Sequence, residues 1–225
     1  MIQEDLSLAD LMSGLMMVFL LIAVVFMLDV QQQKNAMGEI ALLADKSRSQ
    51  LHQDLLQEFS ADLMQWNAVI LEDNTVRFKA PKVLFKSGQS DLREKFKAIL
   101  DDFFPRYVSI LQGYRDEIEA IRIEGHTSSY WENVDDVVIR YLKNVELSQQ
   151  RALSTLKYCY QLGALNVDKR EWLQKMLRAN GLSFAQRIFN EDGSENATKS
   201  RRVEFKIVTK AEQKLHQILV KHLEE

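Results

Sequence analysis

The chain has 225 residues, 46% of them hydrophobic and 27% charged, with a formal net charge of −3. That length suits one globular domain with an appendage rather than two full domains. The charge balance, with no Lys/Arg block interleaved with aromatics, argues against a nucleic-acid partner. The single cysteine, Cys159, excludes an intrachain disulfide and a Cys/His cluster, and histidines at 52, 126, 216 and 222 lack ligand spacing, so no metal is expected.

The chain opens with "LSLADLMSGLMMVFLLIAVVFML" (residues 6–28), in which Leu11 to Leu28 are 18 consecutive uncharged residues. At about 1.5 Å per residue such a run nearly spans the hydrocarbon core of a bilayer. A membrane helix is therefore expected within residues 1–30. A cleavable signal peptide fits less well, because Met1 to Asp10 contains no Lys or Arg and the exit "FMLDVQQQK" offers no small-x-small site.

The acid at the mouth of this run is Asp10. On a helix it stacks with Ser13, Gly14, Met17 and Leu21, so it shares a face with the two small residues that permit close helix approach. Two readings stand. The first is a carboxylate in the headgroup region, favoured by the helix dipole. The second is an ionisable group in a partly dry helix interface, where desolvation makes protonation switchable and the group can carry protons.

Residues 31–60 are polar with helical apolar spacing at Met37, Ile40, Ala44, Leu51, Leu55 and Phe59. This predicts a helical linker, either a short coiled coil between two copies or a helix packed on its own domain.

The soluble domain is expected over residues 61–225. "AVILEDNTVRFKA" reads as a hairpin around Asp73-Asn74. "VLFKSGQSDL" leads into a helix with apolar positions at Leu92, Phe96, Ile99 and Leu100, and with Ser90 as N-cap. "EIEAIRIEGHTSS" is a strand ending at Gly125. "NVELSQQRALSTLKYCYQLG" is a helix closing on Gly163, and "DKREWLQKMLRANG" is another closing on Gly181. After the loop "NEDGSENATKS", "RRVEFKIV" is a strand, and a C-terminal helix follows. The fold class is α/β, a sandwich with helices on one face of a mixed sheet.

Four blocks in order, "FKSGQSDL", "IRIEGHTSS", "NVELSQQRA" and "SRRVEFKI", resemble the OmpA C-terminal-like peptidoglycan-binding domain over about residues 76–209. The N-terminal "LADLMSGLMMVFLL" resembles the membrane helix of MotB-like stator subunits, in which an Asp near the helix start bears protons. The short "LSLADLMSGLM" start and "GHTSSYW" are more similar to the ZorB family of Zorya antiphage systems than to flagellar MotB. The resemblance implies the membrane subunit of a proton-driven rotary motor, present as two copies inside a ring of a multi-span MotA- or ZorA-like partner and anchored to peptidoglycan. A flagellar-type stator and a passive membrane-tethered wall-binding protein are the alternatives.

Carried over residue by residue, the resemblance implies proton binding at Asp10 and peptidoglycan binding through Asn144, Leu147, Arg151, Arg202 and the position of Ser128. Arg151 is the natural guanidinium for a diaminopimelate carboxylate. Two positions depart from the family. An Asp that follows "GHT" and holds the ligand's amine is Ser128 here, and the Asn before the Arg pair is Ser200. The loop after Ser128 carries Tyr130, Trp131, Glu132, Asp135 and Asp136, any of whose acids can stand in for the missing carboxylate.

His126 with Glu124 and Ser128 invites a catalytic reading, but strand alternation points all three the same way without a triad geometry. His126 is expected to orient the loop through hydrogen bonds. With no Gly-rich phosphate loop either, no enzyme activity and no cofactor are expected. The domain is placed outside a bacterial inner membrane because peptidoglycan lies there. This runs against the positive-inside rule, since the first basic residues, Lys34, Lys46 and Arg48, follow the span.

Overall fold

Helix α1 (Ile2–Phe59) forms without interruption because its first half is rich in Leu and Met and its second half in Gln and Leu, all strong helix formers. The structure is a computed structural model that describes residues 2–79 and 81–210; the C-terminal helix expected after Lys210 lies outside the described residues. The chain divides into two units, of which the first has residues 2–45 as its described part and the second is Lys46–Lys210.

In the first unit, Ala9–Asn35 is long and apolar enough to cross a membrane, with a mean hydropathy of 2.8 and none of it buried. Leu11, Phe19 and Phe26 are all exposed. At its polar end the span passes into an i,i+4 ladder, in which Gln33 donates to Asp29 and Gln31 to Asn35.

The second unit starts inside α1, ahead of the boundary at Ala61 read from the sequence. Leu51, Leu55 and Phe59 recur every four residues and are buried in the same core as the sheet. Phe59 packs at a tilt against Trp66 and Phe103, at 5.8 and 5.2 Å between ring centres. Arg106 lies over the Phe59 ring and pairs with Glu58, Asp62 and Asp102. The last turns of α1 thus pack on the core of the second unit.

After the short helix α2 (Leu63–Trp66), strands β1 (Ala68–Ile70) and β2 (Val76–Phe78) make the expected hairpin. Asn74 sits in its turn with φ +65°, a conformation Asn tolerates, and its side chain donates to the Arg48 carbonyl. The helical turn α3 (Pro81–Leu84) and the loop after it precede α4 (Glu94–Gln112). Arg93, not Ser90, is the N-cap of α4, because Leu92 leaves the helix pattern to pair with Phe85 in an isolated bridge.

Strand β3 (Ile118–His126) is followed by α5 (Val137–Gln161), which starts seven residues before Asn144, the start read from the sequence. Asp136 caps it by accepting from the Ile139 amide at 2.9 Å, offsetting the β-branched run that argues against a helix there. Gly163 follows the C-cap Leu162 but does not adopt the left-handed conformation.

The larger departure concerns "DKREWLQKMLRANG". Helix α6 (Val167–Met176) ends at Met176, and "LRANG" forms strand β4 (Leu177–Gly181), parallel to β3. A helical turn α7 (Ala197–Ser200) leads into β5 (Arg202–Thr209). The five-stranded sheet has the order β1-β2-β5-β3-β4, with β3–β4 parallel and the other pairs antiparallel.

Cross-strand register sorts the side chains. Ile121, Ile123 and Gly125 oppose Ile207, Phe205 and Val203, and Phe205 packs edge-on against Phe78, Phe103 and Tyr107 beneath α4. Glu124 and His126 oppose Glu204 and Arg202 on the other face.

Gly125 and Gly181 are paired across β3 and β4. A Cβ on Gly125 would lie 2.2 Å from the Ser148 carbonyl oxygen, and one on Gly181 2.4 Å from the Gln149 nitrogen. These two glycines let α5 lie directly on the sheet, and the Gln149 side chain closes the contact by accepting from the Gly181 amide and donating to the Ala179 carbonyl.

Candidate functional site

Close seating of α5 brings its inward face against the end of β3. Asn144, Leu147 and Arg151 recur at i, i+3 and i+7 on that face, and the segment after Gly125 passes in front of them. Together they line a cavity of about 390 Å³ whose other walls are Phe85 to Gly88, Thr127, Ser128, Tyr130, Trp131, Glu132 and Arg201.

Four of the five expected wall-binding positions, Ser128, Asn144, Leu147 and Arg151, thus meet in one place. Arg202 does not line it; the preceding residue, Arg201, does. Arg202 occupies the first position of β5, opposite His126, which turns its side chain to the other face of the sheet.

Arg151 is buried, 7% exposed, and its polar partners are carbonyls: Nε donates to the Gln89 oxygen at 3.0 Å and Nη2 to that of Lys86 at 3.4 Å. Its guanidinium lies over the Phe85 ring at 4.9 Å. Gly88, with φ +67°, allows the tight turn that presents both carbonyls. Burial, with the charge of Arg201 adding to it, pulls the Arg151 pKa down to about 10. A guanidinium held by neutral acceptors beside a second cation has the charge and donors to suit an anionic group.

The loop carrying Ser128 is fixed from outside. The Thr127 amide donates to the Ser183 carbonyl at 2.8 Å, and both the Ser129 amide and hydroxyl donate to the Glu195 carboxylate. Of the loop's acids, Glu132 lines the cavity, whereas Asp136 is engaged in capping α5. Trp131 is held under the Lys143 ammonium at 5.6 Å. Sequence reasoning missed Arg201, Lys86 and the Phe85–Gly88 wall. The block "FKSGQSDL" contains the signal for that wall, while Arg201 is indistinguishable from Arg202 until the strand register is known.

A second cluster lies on the opposite sheet face. His126 is 1% exposed, with Nε2 3.4 Å from Glu204 Oε2 and 3.7 Å from Glu124 Oε2. It sits between two carboxylates, which corrects the expectation that it orients the loop through hydrogen bonds. Glu204 Oε1 accepts from Arg202 at 2.6 Å and from Arg77 at 2.5 Å. Burial alone would raise the Glu204 pKa, but contacts with His126 and Arg202 outweigh it and hold the carboxyl well below the usual range. Among the described residues Glu124, His126 and Glu204 form the one group with donor atoms at metal-binding spacing. Arg77 and Arg202 both pair with Glu204, so a divalent cation would be brought beside two guanidiniums, and the donor set fits an ion-pair network better. Ser128 lines the cavity instead of joining His126, and no nucleophile–base pair forms there.

Residues 84–201 match the OmpA family. Over 214 residues, 95% of this chain and 91% of the relative, the sequence is 41% identical to the Zorya protein ZorB of Escherichia coli (strain Crooks). Among solved structures, a MotB-like protein from Desulfovibrio vulgaris superposes with a TM-score of 0.52 at 23% identity, over 73% of this chain and 96% of that one, and shares its fold. The periplasmic domain of Helicobacter pylori MotB matches with a TM-score of 0.44 at 20% identity, over 66% of this chain and 85% of that one. With identity sustained over nearly its full length and an OmpA family match enclosing all of the cavity's lining, the chain belongs to the ZorB family.

Proposed function

We propose that this chain is the membrane subunit of a proton-driven rotary motor of the MotA/MotB type, acting in Zorya antiphage defence. The helix around Ala9–Asn35 crosses the bacterial inner membrane, the folded domain lies in the periplasm, and the protein acts as a binder and ion carrier, not as an enzyme. Two copies stand within a ring of a multi-span ZorA- or MotA-like partner.

One observation carries this reading: a cavity with a buried, carboxylate-free Arg151 occurs on the same chain as an exposed apolar helix whose acid at the mouth is Asp10. The cavity grips an anionic group of peptidoglycan through Arg151, with Asn144 and Leu147 shaping the wall beside it, and this holds the subunit still against the partner ring. Asp10 binds and releases protons. One elementary charge crossing 100 mV yields about 2.3 kcal/mol, so alternate protonation can step a ring through successive positions.

Asp10→Asn tests the motor. The variant keeps the size and much of the hydrogen bonding of Asp10 but stays neutral, so the complex with the partner should elute like wild type while infected cells lose protection against phage. Undiminished protection at matched expression would make Asp10 a carboxylate of the headgroup region and leave a passive tether.

A further inference from the structure

Strand register places three cations abreast on the sheet face that bears Glu124, His126 and Glu204. Arg122 in β3 lies opposite Arg178 of β4 on one side and Lys206 of β5 on the other. Helices α4 and α5 pack on the opposite face, α4 against Phe205 and α5 against Gly125 and Gly181. Arg122 and Arg178 are exposed, and the Lys206 side chain is 37% exposed.

Little negative charge reaches this row. Asp73 lies 3.9 Å from Lys206, Arg178 donates to the neutral Lys175 carbonyl, and Arg122 has no hydrogen bond or ion pair among the described residues. The carboxylates of the next row are drawn inward: Glu204 pairs with Arg77 and Arg202, and Glu124 is 4% exposed beside His126. Like charges directly opposite one another destabilise a sheet, and β3 and β5 are interior strands, where no cation is needed to guard an edge. A chain of net charge −3 that nonetheless aligns three cations on an open face has there a surface complementary to anions.

We propose that this face docks on a bilayer surface rich in anionic phospholipid, with Arg178, Arg122 and Lys206 each meeting a headgroup phosphate. Adjacent strands are about 4.8 Å apart, so the row extends about 10 Å along an open face, which suits a plane of charges better than one small anion. The chain carries its own candidate membrane span, Ala9–Asn35, so a bilayer is present at high effective concentration. Each Arg or Lys that reaches an anionic membrane surface contributes about five-fold in affinity, and salt screens the effect. The choice of a bilayer over another polyanion rests on the span proposed above; the wall-binding cavity plays no part in it.

The test places the full-length chain in phosphatidylcholine nanodiscs and mixes them with sucrose-loaded vesicles, either of pure phosphatidylcholine or of an equal mixture with phosphatidylglycerol. Wild type should sediment with the mixed vesicles and not with the pure ones, and added salt should release it. Arg122→Gln should bind the mixed vesicles about five-fold more weakly, and Arg122→Lys should bind them like wild type. Combining Arg122→Gln, Arg178→Gln and Lys206→Gln should abolish sedimentation, whereas Lys95→Gln, on α4, should leave it unchanged. Without vesicles, Arg122→Gln should melt no lower than wild type, because it removes the central like charge. Equal sedimentation with both kinds of vesicle, or wild-type binding by the triple variant, would overturn the docking face. Binding to soluble polyphosphate with none to the mixed vesicles would overturn the bilayer and assign the row to a soluble polyanion. Failure of the chain to enter nanodiscs would overturn the span, and the bilayer assignment with it, while leaving the wall-binding reading of the cavity untouched.

Discussion

Gly125 and Gly181 face each other across the parallel β3–β4 pair, and the backbone of α5 at Ser148 and Gln149 occupies the space where their side chains would be. The helix that carries Asn144, Leu147 and Arg151 is therefore positioned by the absence of two methyl groups. Alanine at either site must push α5 off the sheet, and overpacking of this kind typically costs about 1 to 3 kcal/mol. Gly125→Ala and Gly181→Ala should each lower the denaturant midpoint and weaken wall binding together. Unchanged midpoints would show that the helix yields without cost.

Arg151 should trade stability for binding. Its folded pKa, about 10, lies below the ordinary guanidinium value, so the folded state disfavours the charged form and the cation destabilises the unliganded protein at neutral pH. That penalty diminishes only as pH rises through 10 towards the unfolded value. Arg151→Met fills much of the volume without the charge and should leave the melting temperature of the unliganded protein unchanged or raised by about 2 °C, while sedimentation with sacculi is lost. A fall of more than about 4 °C would mark Arg151 as chiefly a structural brace for the Gln89 and Lys86 carbonyls.

Acid should dissolve the ion-pair network on the other sheet face. The folded pKa of Glu204 is depressed, so its contribution to stability is complete above the unfolded carboxylate value near pH 4.5 and is lost as pH falls towards the folded value. Glu204→Gln strands Arg77 and Arg202 beside a neutral amide and should cost about 3 kcal/mol at pH 7. Denaturant midpoints measured from pH 7 down to pH 2 should converge for the two proteins, and a constant gap would remove Glu204 from the acid response.

Asp10 shares its helix face with Ser13 and Gly14, which separates chemistry from assembly. Asp10→Glu keeps a titratable group and should retain part of the protection against phage. Gly14→Leu keeps Asp10 but fills the close-approach surface, and should reduce co-purification of the partner. Normal partner recovery with Gly14→Leu would place the contact face elsewhere on the helix.

The features legible in the sequence are those set by neighbours along the chain. The apolar run at Leu11–Leu28 needs only its own composition to become a helix, the Asp73-Asn74 hairpin needs only its turn chemistry, and the period of Asn144, Leu147 and Arg151 already places them on one face. Tertiary structure decided what depends on a distant partner. "LRANG" favours a helix by propensity, yet its backbone pairs with Ile121–Gly125, more than fifty residues earlier, and becomes an edge strand. Gly181 then acts as a seat for α5 where the sequence pattern made it a helix end. Register likewise separated Arg201 from Arg202: pairing with His126 commits Arg202 to the buried network with Glu204 and leaves Arg201 at the cavity. No local pattern distinguishes two adjacent arginines, because the two faces of a strand acquire different surroundings only when the sheet is assembled and covered.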